Sequence, residues 1–339
     1  MRAHPVKLAV GLAISFGALA LSLRGVSFAE LWAQLLLANY WYVLLHVVLL
    51  LGVQLFRTVR WGLLVAPVKK LSFRRLLSIC AVGFMALLVL PLRLGEFARP
   101  YLLREPGRVS GSAAMVSIVL ERLIDGLTVA GALVVLLLGL PASVPYVGWA
   151  RRGGLGVFVL FAGLLVFLAA ARWRRQEVSR LLRAVARWSP MLSRRLESFA
   201  AALTNLPSAR AMAGVLLSTG LYWGLNGLAT WVLALGFGLH LTMIQAYTCV
   251  AIRAIGAMIP AGPGMVGTFQ ASMQVGLAMF LPGLDAARSA AYANVLWACQ
   301  FGQQVALGLL FMHSSGLAAD QHTVTLTELS HADEALDGP

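Results

Sequence analysis

Leu76-Leu-Ser-Ile-Cys-Ala-Val-Gly-Phe-Met-Ala-Leu-Leu-Val-Leu-Pro91-Leu-Arg-Leu-Gly-Glu-Phe-Ala-Arg99 is an apolar run that stops at a proline and turns at once into charge. The run 76–90 falls short of the about 20 apolar residues that a bilayer crossing takes. Pro91 cannot continue a helical hydrogen-bond ladder, and it pushes the residue before it out of the helical region. The stretch therefore reads as a broken, re-entrant element that dips into a membrane and returns to the same side. The flanking charges agree. Lys69, Lys70, Arg74 and Arg75 precede the run, and a second basic region follows at 172–195. If 76–90 crossed fully, the two regions would lie on opposite sides, against the tendency of Lys and Arg to stay cytoplasmic.

Working outward, six stretches are long enough to span: 6–23, 41–61, 112–138, 153–171, 211–237 and 286–312. The chain of 339 residues is 60% hydrophobic, only 12% charged, and has a mean hydropathy of +0.82. A soluble domain carries roughly 25% charge and could not hide this much apolar surface. The fold class is thus an all-α polytopic membrane protein with about six full transmembrane helices and two broken segments. The second broken segment is 242–259, followed by Pro260-Ala-Gly-Pro-Gly-Met-Val-Gly-Thr268 and a further apolar run to Leu281. Pro91…Gly95 and Pro260…Gly264 share a Pro-x-x-x-Gly pattern after an apolar run. By the charge rule, one enters from each side. Paired interrupted segments of opposite orientation point to an inverted repeat with a site between its halves.

The net charge of +14 falls between the apolar runs, so it reads as orientation signal and attraction to anionic lipid rather than nucleic-acid binding. Residues 28–37 form a short amphipathic stretch suited to the outer surface. Residues 172–206 carry apolar positions at helical spacing among arginines; an interfacial helix and a solvated basic loop fit equally well. The first segment, 6–23, resembles a signal sequence but is read as an uncleaved first span. Residues 1–313 form the membrane domain. The polar tail 314–339 has a composition unable to support a core and reads as disordered. The N-terminus and the tail are both placed in the cytoplasm. Cys80, Cys249 and Cys299 lie far apart in apolar runs and read as packing residues. The lone histidines His46 and His240 read likewise.

Charge at membrane depth costs about 2.5–3.5 kcal/mol on insertion scales, which makes each such residue a functional candidate. Three places stand out. In the first, Arg93, Gly95, Glu96 and Arg99 follow the Pro91 break. Glu96 and Arg99 are spaced to pair, and the arginines and freed backbone donors could hold a phosphate. The plainer reading is an anchoring ion pair. In the second, Glu121, Arg122 and Asp125 sit inside 112–138. Arg122 can reach Asp125, while two carboxylates four apart need an outside arginine, for which Arg93, Arg99 and Arg253 are the candidates. The alternative is a structural cluster that joins helices. In the third, Arg253 precedes the turn containing Pro260, Gly262, Gly264 and Gly267. It is read as binding an anionic headgroup or as pairing with Glu121 or Asp125. Asn226, Gln245, Gln270, Gln274, Asn294, Gln300, Gln303 and Gln304 are polar within apolar runs and read mostly as interhelical hydrogen bonds. The sequence carries no Walker motif, nucleophile elbow, HExxH or metal-spaced cluster, so no cofactor is expected and ATP-driven pumping is not expected.

Three motifs occur in order. Gly95-Glu96-x-x-Arg99 resembles the GE-x-x-R signature of the lysylphosphatidylglycerol synthase transmembrane region, also called the flippase-like domain family of bacterial inner-membrane proteins. Glu121-Arg122-x-x-Asp125 resembles its ER-x-x-D element, and Pro260-x-x-x-Gly264-x-x-Gly267 its C-terminal turn. The similarity covers about residues 5–315 and implies an eight-segment domain with two re-entrant elements. In bifunctional members this domain moves the lipid while a separate soluble domain makes it. Synthase activity is accordingly not expected of these 339 residues. The resemblance implies an inner-membrane lipid transporter for an anionic or isoprenoid lipid. An intramembrane enzyme using Glu96 or Glu121 as a base, or an accessory subunit of a lipid-synthesis complex, are the alternatives. The expected partners are a membrane phospholipid or isoprenoid lipid and no nucleic acid, with a second copy of the chain or a lipid-synthesis protein as candidate protein partners.

Overall fold

The computed structural model describes residues 5–103, 111–173, 207–259 and 261–314. The described residues are all-α, with helices over every stretch expected to be helical: α1 (Pro5–Ser22), α2 (Phe28–Leu37), α3 (Tyr40–Val65), α4 (Phe73–Val89), α5 (Ala98–Leu103), α6 (Gly111–Leu138), α7 (Val147–Trp173), α8 (Ala209–Gly236), α9 (Met243–Gly256), α10 (Thr268–Phe280) and α11 (Ala286–Ser314). Short 3₁₀ segments at Pro91–Phe97 and Pro263–Met265 join α4 to α5 and α9 to α10. Within α3, α7 and α11, Tyr40–Val65, Val147–Ala170 and Ala286–His313 are long and apolar enough to cross a membrane by length and composition alone. Helix α6 is as long as these, but it carries Glu121, Arg122 and Asp125 in its middle. The basic segment 172–206, read as an interfacial helix or a solvated loop, lies, beyond Trp173, outside the described residues, as does the tail from 315.

Local chemistry sets the ends. Ser27 and Glu30 form a reciprocal capping box at the start of α2. Ser72 Oγ and Thr242 Oγ1 accept from the third backbone N–H of α4 and α9, from Arg75 at 3.4 Å and Gln245 at 3.2 Å. Leu90, which ends α4, takes φ −79° and ψ 137°, the extended conformation that the following proline requires.

Both broken segments close into hairpins. After Pro91 the chain folds back along α4. A Cβ added at Gly95 would lie 2.1 Å from the backbone carbon of Ala86 and the nitrogen of Leu87, so only glycine permits the approach. After α9 the chain folds back in the same way, and a Cβ added at Gly276 of α10 would sit 3.1 Å from Cys249 Cα. The two hairpins correspond in detail. Ser78 and Thr248, each six residues after the capping residue, bond the carbonyls of Arg74 and Ile244 at 2.9 Å. In the sequence a proline follows each run, Pro91 nineteen residues after Ser72 and Pro260 eighteen after Thr242, while α9 itself ends at Gly256.

The helix packing repeats this correspondence. Helix α3 packs along α8, α4 packs on α11 of the other half, and α9 packs on α6 of the first. Matching pairs α3–α4 and α8–α9, and α5–α6 and α10–α11, complete a pattern in which each hairpin is clasped by the long helix of the opposite half. The α3–α8 seam uses the close approach and polar bonds that substitute for hydrophobic pressure within a bilayer. Asn39 N–H donates to the Gly236 carbonyl at 2.8 Å, and His46 Nδ1 lies 2.8 Å from the Ala229 carbonyl. Helix α1 covers the second hairpin, where Gly262 N–H donates to Ser15 Oγ at 2.8 Å. The hairpin tips meet at a small void lined by Leu87, Leu90, Ala257, Ile259, Gly262 and Met265.

Because rigid backbone faces Gly95, Gly95→Ala is expected to cost about 1–3 kcal/mol through overpacking. Gly153→Ala adds a methyl that meets nothing within 4 Å and is expected to leave stability unchanged or slightly raised. Thermal unfolding of the two purified variants in detergent measures the contrast. Equal midpoints would show that the first hairpin is not closed at Gly95.

Candidate functional site

Glu121 accepts hydrogen bonds from two arginines and pairs with a third. Arg99 of α5 grips it bidentately, with Nη1 at 2.7 Å from Oε2 and Nη2 at 3.2 Å from Oε1. Arg60 Nη2 of α3 lies 3.3 Å from Oε1, and Arg122 Nη2 of α6 donates to the same oxygen. Arg60 also forks onto Asp125, with Nη2 at 3.1 Å from Oδ2, and Trp223 Nε1 of α8 donates to Asp125 Oδ1 at 3.1 Å. Arg122 lies 3.5 Å from Asp125, as its spacing on the helix predicts. Side chains of Arg60 and Glu121 are fully buried. Aromatic faces complete the shell: Tyr222 over Arg60, and Phe84 and Trp61 over Arg99. Gly83 makes room for this. A Cβ there would lie 2.2 Å from Arg99 Cγ, so the missing side chain lets Arg99 cross α4 to reach α6.

The expected outside arginine for Glu121 and Asp125 is therefore Arg99 together with Arg60. Two expected pairings do not form. Arg99 turns to Glu121 rather than Glu96, because Glu96 sits on the 3₁₀ segment and lines the neighbouring cavity instead. Arg253 pairs with neither carboxylate; its Nη1 donates to Gln300 Oε1 at 2.9 Å, and its guanidinium lies over Phe269, 4.9 Å from the ring centre. The side chain of Arg93, and Pro260 altogether, lie outside what is described. The turn glycines are largely committed to structure. Gly95 packs on α4, Gly262 N–H is held by Ser15, and Gly267 N–H donates to Gln270 Oε1 at 2.7 Å. Gly264 lines the cavity, its carbonyl accepting from Trp297 Nε1 at 2.8 Å. In the turn expected to bind an anionic headgroup with Arg253, the backbone donors of Gly262 and Gly267 are thus already satisfied within the protein.

The cavity beside the charge cluster has a volume of about 390 Å³, within the range of small-molecule sites. Glu96, Arg122, Asp125 and Arg253 of the expected residues line it, together with Arg57, Asn226, Gln300, Gln303 and Gln304. Leu87, Leu88, Met258 and Met265 add apolar surface to it, and Leu87 and Met265 also line the void at the hairpin tips. Arg99 and Glu121 stand behind this wall and hold it.

Sequence reading passed over Arg57 and Arg60. Ending the second span at Trp61 placed both at a membrane edge, where arginine is unremarkable. Helix α3 in fact runs on to Val65, and the apolar residues after Arg60 were the available signal that both arginines lie within a span. Arg57 donates to Gln54 and, at 2.7 Å, to Gln304 Oε1, and stacks over Phe84 with 3.5 Å from its Cζ to the ring centre.

Removing Glu121 strands three cations, whereas removing Arg253 strands no carboxylate. Glu121→Gln is therefore expected to destabilise the protein by about 3–5 kcal/mol, the cost of breaking a buried ion pair. Arg253→Gln is expected to leave the unfolding midpoint unchanged. Thermal melts in detergent compare them, and an equal loss in both would contradict this division of labour.

A family model for the lysylphosphatidylglycerol synthase TM region matches residues 8–308. A comparison with curated proteins finds no match. With its three motifs in order on one helical frame and that match spanning most of its length, the chain is a membrane protein that belongs to the lipid-related family of the lysylphosphatidylglycerol synthase TM region.

Proposed function

We propose that this protein moves a lipid between the leaflets of the bacterial inner membrane, with its N-terminus and C-terminal tail in the cytoplasm. The observation that carries the reading is the mixed lining of the cavity. Arginines and amides line it together with Leu87, Leu88, Met258 and Met265, and Leu87 and Met265 also line the void where the two hairpins meet. A lipid is the ligand with that polarity: an anionic headgroup for the arginines and a chain for the apolar lining. Large apolar residues beside the tips, Val89, Leu94, Phe97, Met258 and Ile259, are exposed, so a chain leaving the cavity would meet hydrocarbon rather than water. Charge patterning has the hairpins enter from opposite sides, which would let each tip close the path toward one leaflet. An enzyme would need a group within the cavity that does chemistry, and Glu96 and Asp125 line it, which keeps the enzyme reading as the alternative. In the transport reading Glu121 instead holds the helices in register, and no synthase activity is assigned.

The test is movement of headgroup-labelled lipids across the bilayer of proteoliposomes. The wild-type protein is expected to transport at least one anionic lipid. Arg253→Gln is expected to slow it about 10- to 100-fold, the loss of a charge-assisted hydrogen-bonding group, while eluting as a single folded species. Absence of movement for every lipid tried, with a lipid species missing from cells that lack the protein, would overturn transport in favour of chemistry.

A further inference from the structure

Arg57 and Arg253 belong to corresponding halves of the molecule, on α3 and α9, yet both end on α11. Arg57 bonds Gln304 and Arg253 bonds Gln300. Those glutamines are one turn apart, a rise of about 6 Å, on one face of the helix. The two guanidinium groups are therefore docked on adjacent steps of the same cavity wall. Each also stacks on a ring of the hairpin in its own half, Phe84 of α4 and Phe269 of α10. Among the described residues neither arginine has a carboxylate within ion-pair distance, and the Nε of each is buried with no hydrogen-bond partner. Arg253 is only 7% exposed. Glutamine oxygens and aromatic faces orient a cation but do not neutralise it.

Charge counting sharpens this. In and behind the cavity wall stand Arg57, Arg60, Arg99, Arg122 and Arg253 against Glu96, Glu121 and Asp125. Five arginines against three carboxylates leave a formal excess of two positive charges among the described side chains. An uncompensated charge away from water is costly and marks a site that awaits its counterion. The arginine pair can offer two hydrogen-bonding forks. A phosphodiester has two free oxygens and one negative charge. A terminal phosphate has three free oxygens and, above its second pKa of about 6, close to two charges.

Resting on the transport reading for its lipid source, we propose that the cavity binds a dianionic phosphate group, a terminal phosphomonoester or a diphosphate, clamped between Arg57 and Arg253. An attached hydrocarbon chain occupies the apolar surface of Leu87, Met258 and Met265. The same headgroup chemistry exists in free pyrophosphate, so the chain is what separates the two sources.

The test is binding to the full-length protein in detergent by native mass spectrometry, with dioleoyl phosphatidic acid, dioleoyl phosphatidylglycerol and dioleoyl phosphatidylcholine, and with inorganic pyrophosphate. These lipids share their chains and differ only in headgroup. At pH 8, phosphatidic acid is expected to bind about tenfold more tightly than phosphatidylglycerol, as one further charge-assisted contact implies. The preference is expected to shrink at pH 6, where the second phosphate proton returns. Arg57→Gln and Arg253→Gln are each expected to abolish it by weakening phosphatidic acid binding more than phosphatidylglycerol binding. Arg253→Lys, which keeps the charge, is expected to retain part of it, and guards against loss through misfolding. Equal binding of the two anionic lipids, or a preference that survives both Gln variants, would overturn the clamp even where vesicle transport of phosphatidylglycerol succeeds. Pyrophosphate binding lost in the same variants, without any binding of phosphatidic acid, would support the clamp and sink the lipid reading.

Discussion

The fold depends on one carboxylate that cannot be solvated. Glu121 is fully buried and meets the guanidinium groups of Arg60, Arg99 and Arg122, which come from α3, α5 and α6. In a medium of low dielectric such charges are tolerable only when they neutralise one another with hydrogen-bonding geometry. That condition dictates much else. It requires the chain after Pro91 to return toward α6, since Arg99 must arrive there. It requires α4 to be narrow at Gly83, so that Arg99 can pass. It draws α8 in as well, because Trp223 satisfies a further Asp125 lone pair.

The paired hairpins supply the framework in which this cluster is useful. Each is built from the same parts: a hydroxyl cap, a second hydroxyl six residues on, and a return at which a glycine lets the two arms approach closely. Each lies against the long helix of the other half, so the halves are interlocked rather than merely adjacent. Asymmetry enters at the charged residues. The first half spends Arg60 and Arg99 on Glu121 and Asp125, which makes a rigid wall. The second half contributes Arg253, held only by an amide and a ring. Arg57 of the first half is held likewise, by glutamines and Phe84, so the cavity is braced by ion pairs behind it and carries two arginines without a carboxylate partner among the described residues.

Much of the helical frame was legible in the sequence because apolar length, proline and capping hydroxyls act locally. The first span was bounded at 6–23 and the helix is Pro5–Ser22; the amphipathic stretch 28–37 coincides with α2. The need of Glu121 and Asp125 for an outside arginine was legible too, since two carboxylates on one helix face repel. Arg60 was hidden because hydropathy alone cannot tell the end of a span from a polar residue inside a longer one. Arg253 stood out as an arginine within an apolar run, and the fold buries it. That it faces Gln300 rather than a carboxylate depends on which helices pack together.

By itself, then, the sequence determined membrane class, helix positions, the two breaks and the presence of charges too costly to leave in lipid, because each follows from the chain and the solvent it must satisfy. Only the tertiary structure decided which charges cancel and which do not. Long arginine side chains reach many neighbours, and helices far apart in sequence, α3, α9 and α11, set the partners. Whether an arginine meets Glu121 or a glutamine is fixed by helix packing, and that separates the residues that brace this protein from those that line its cavity.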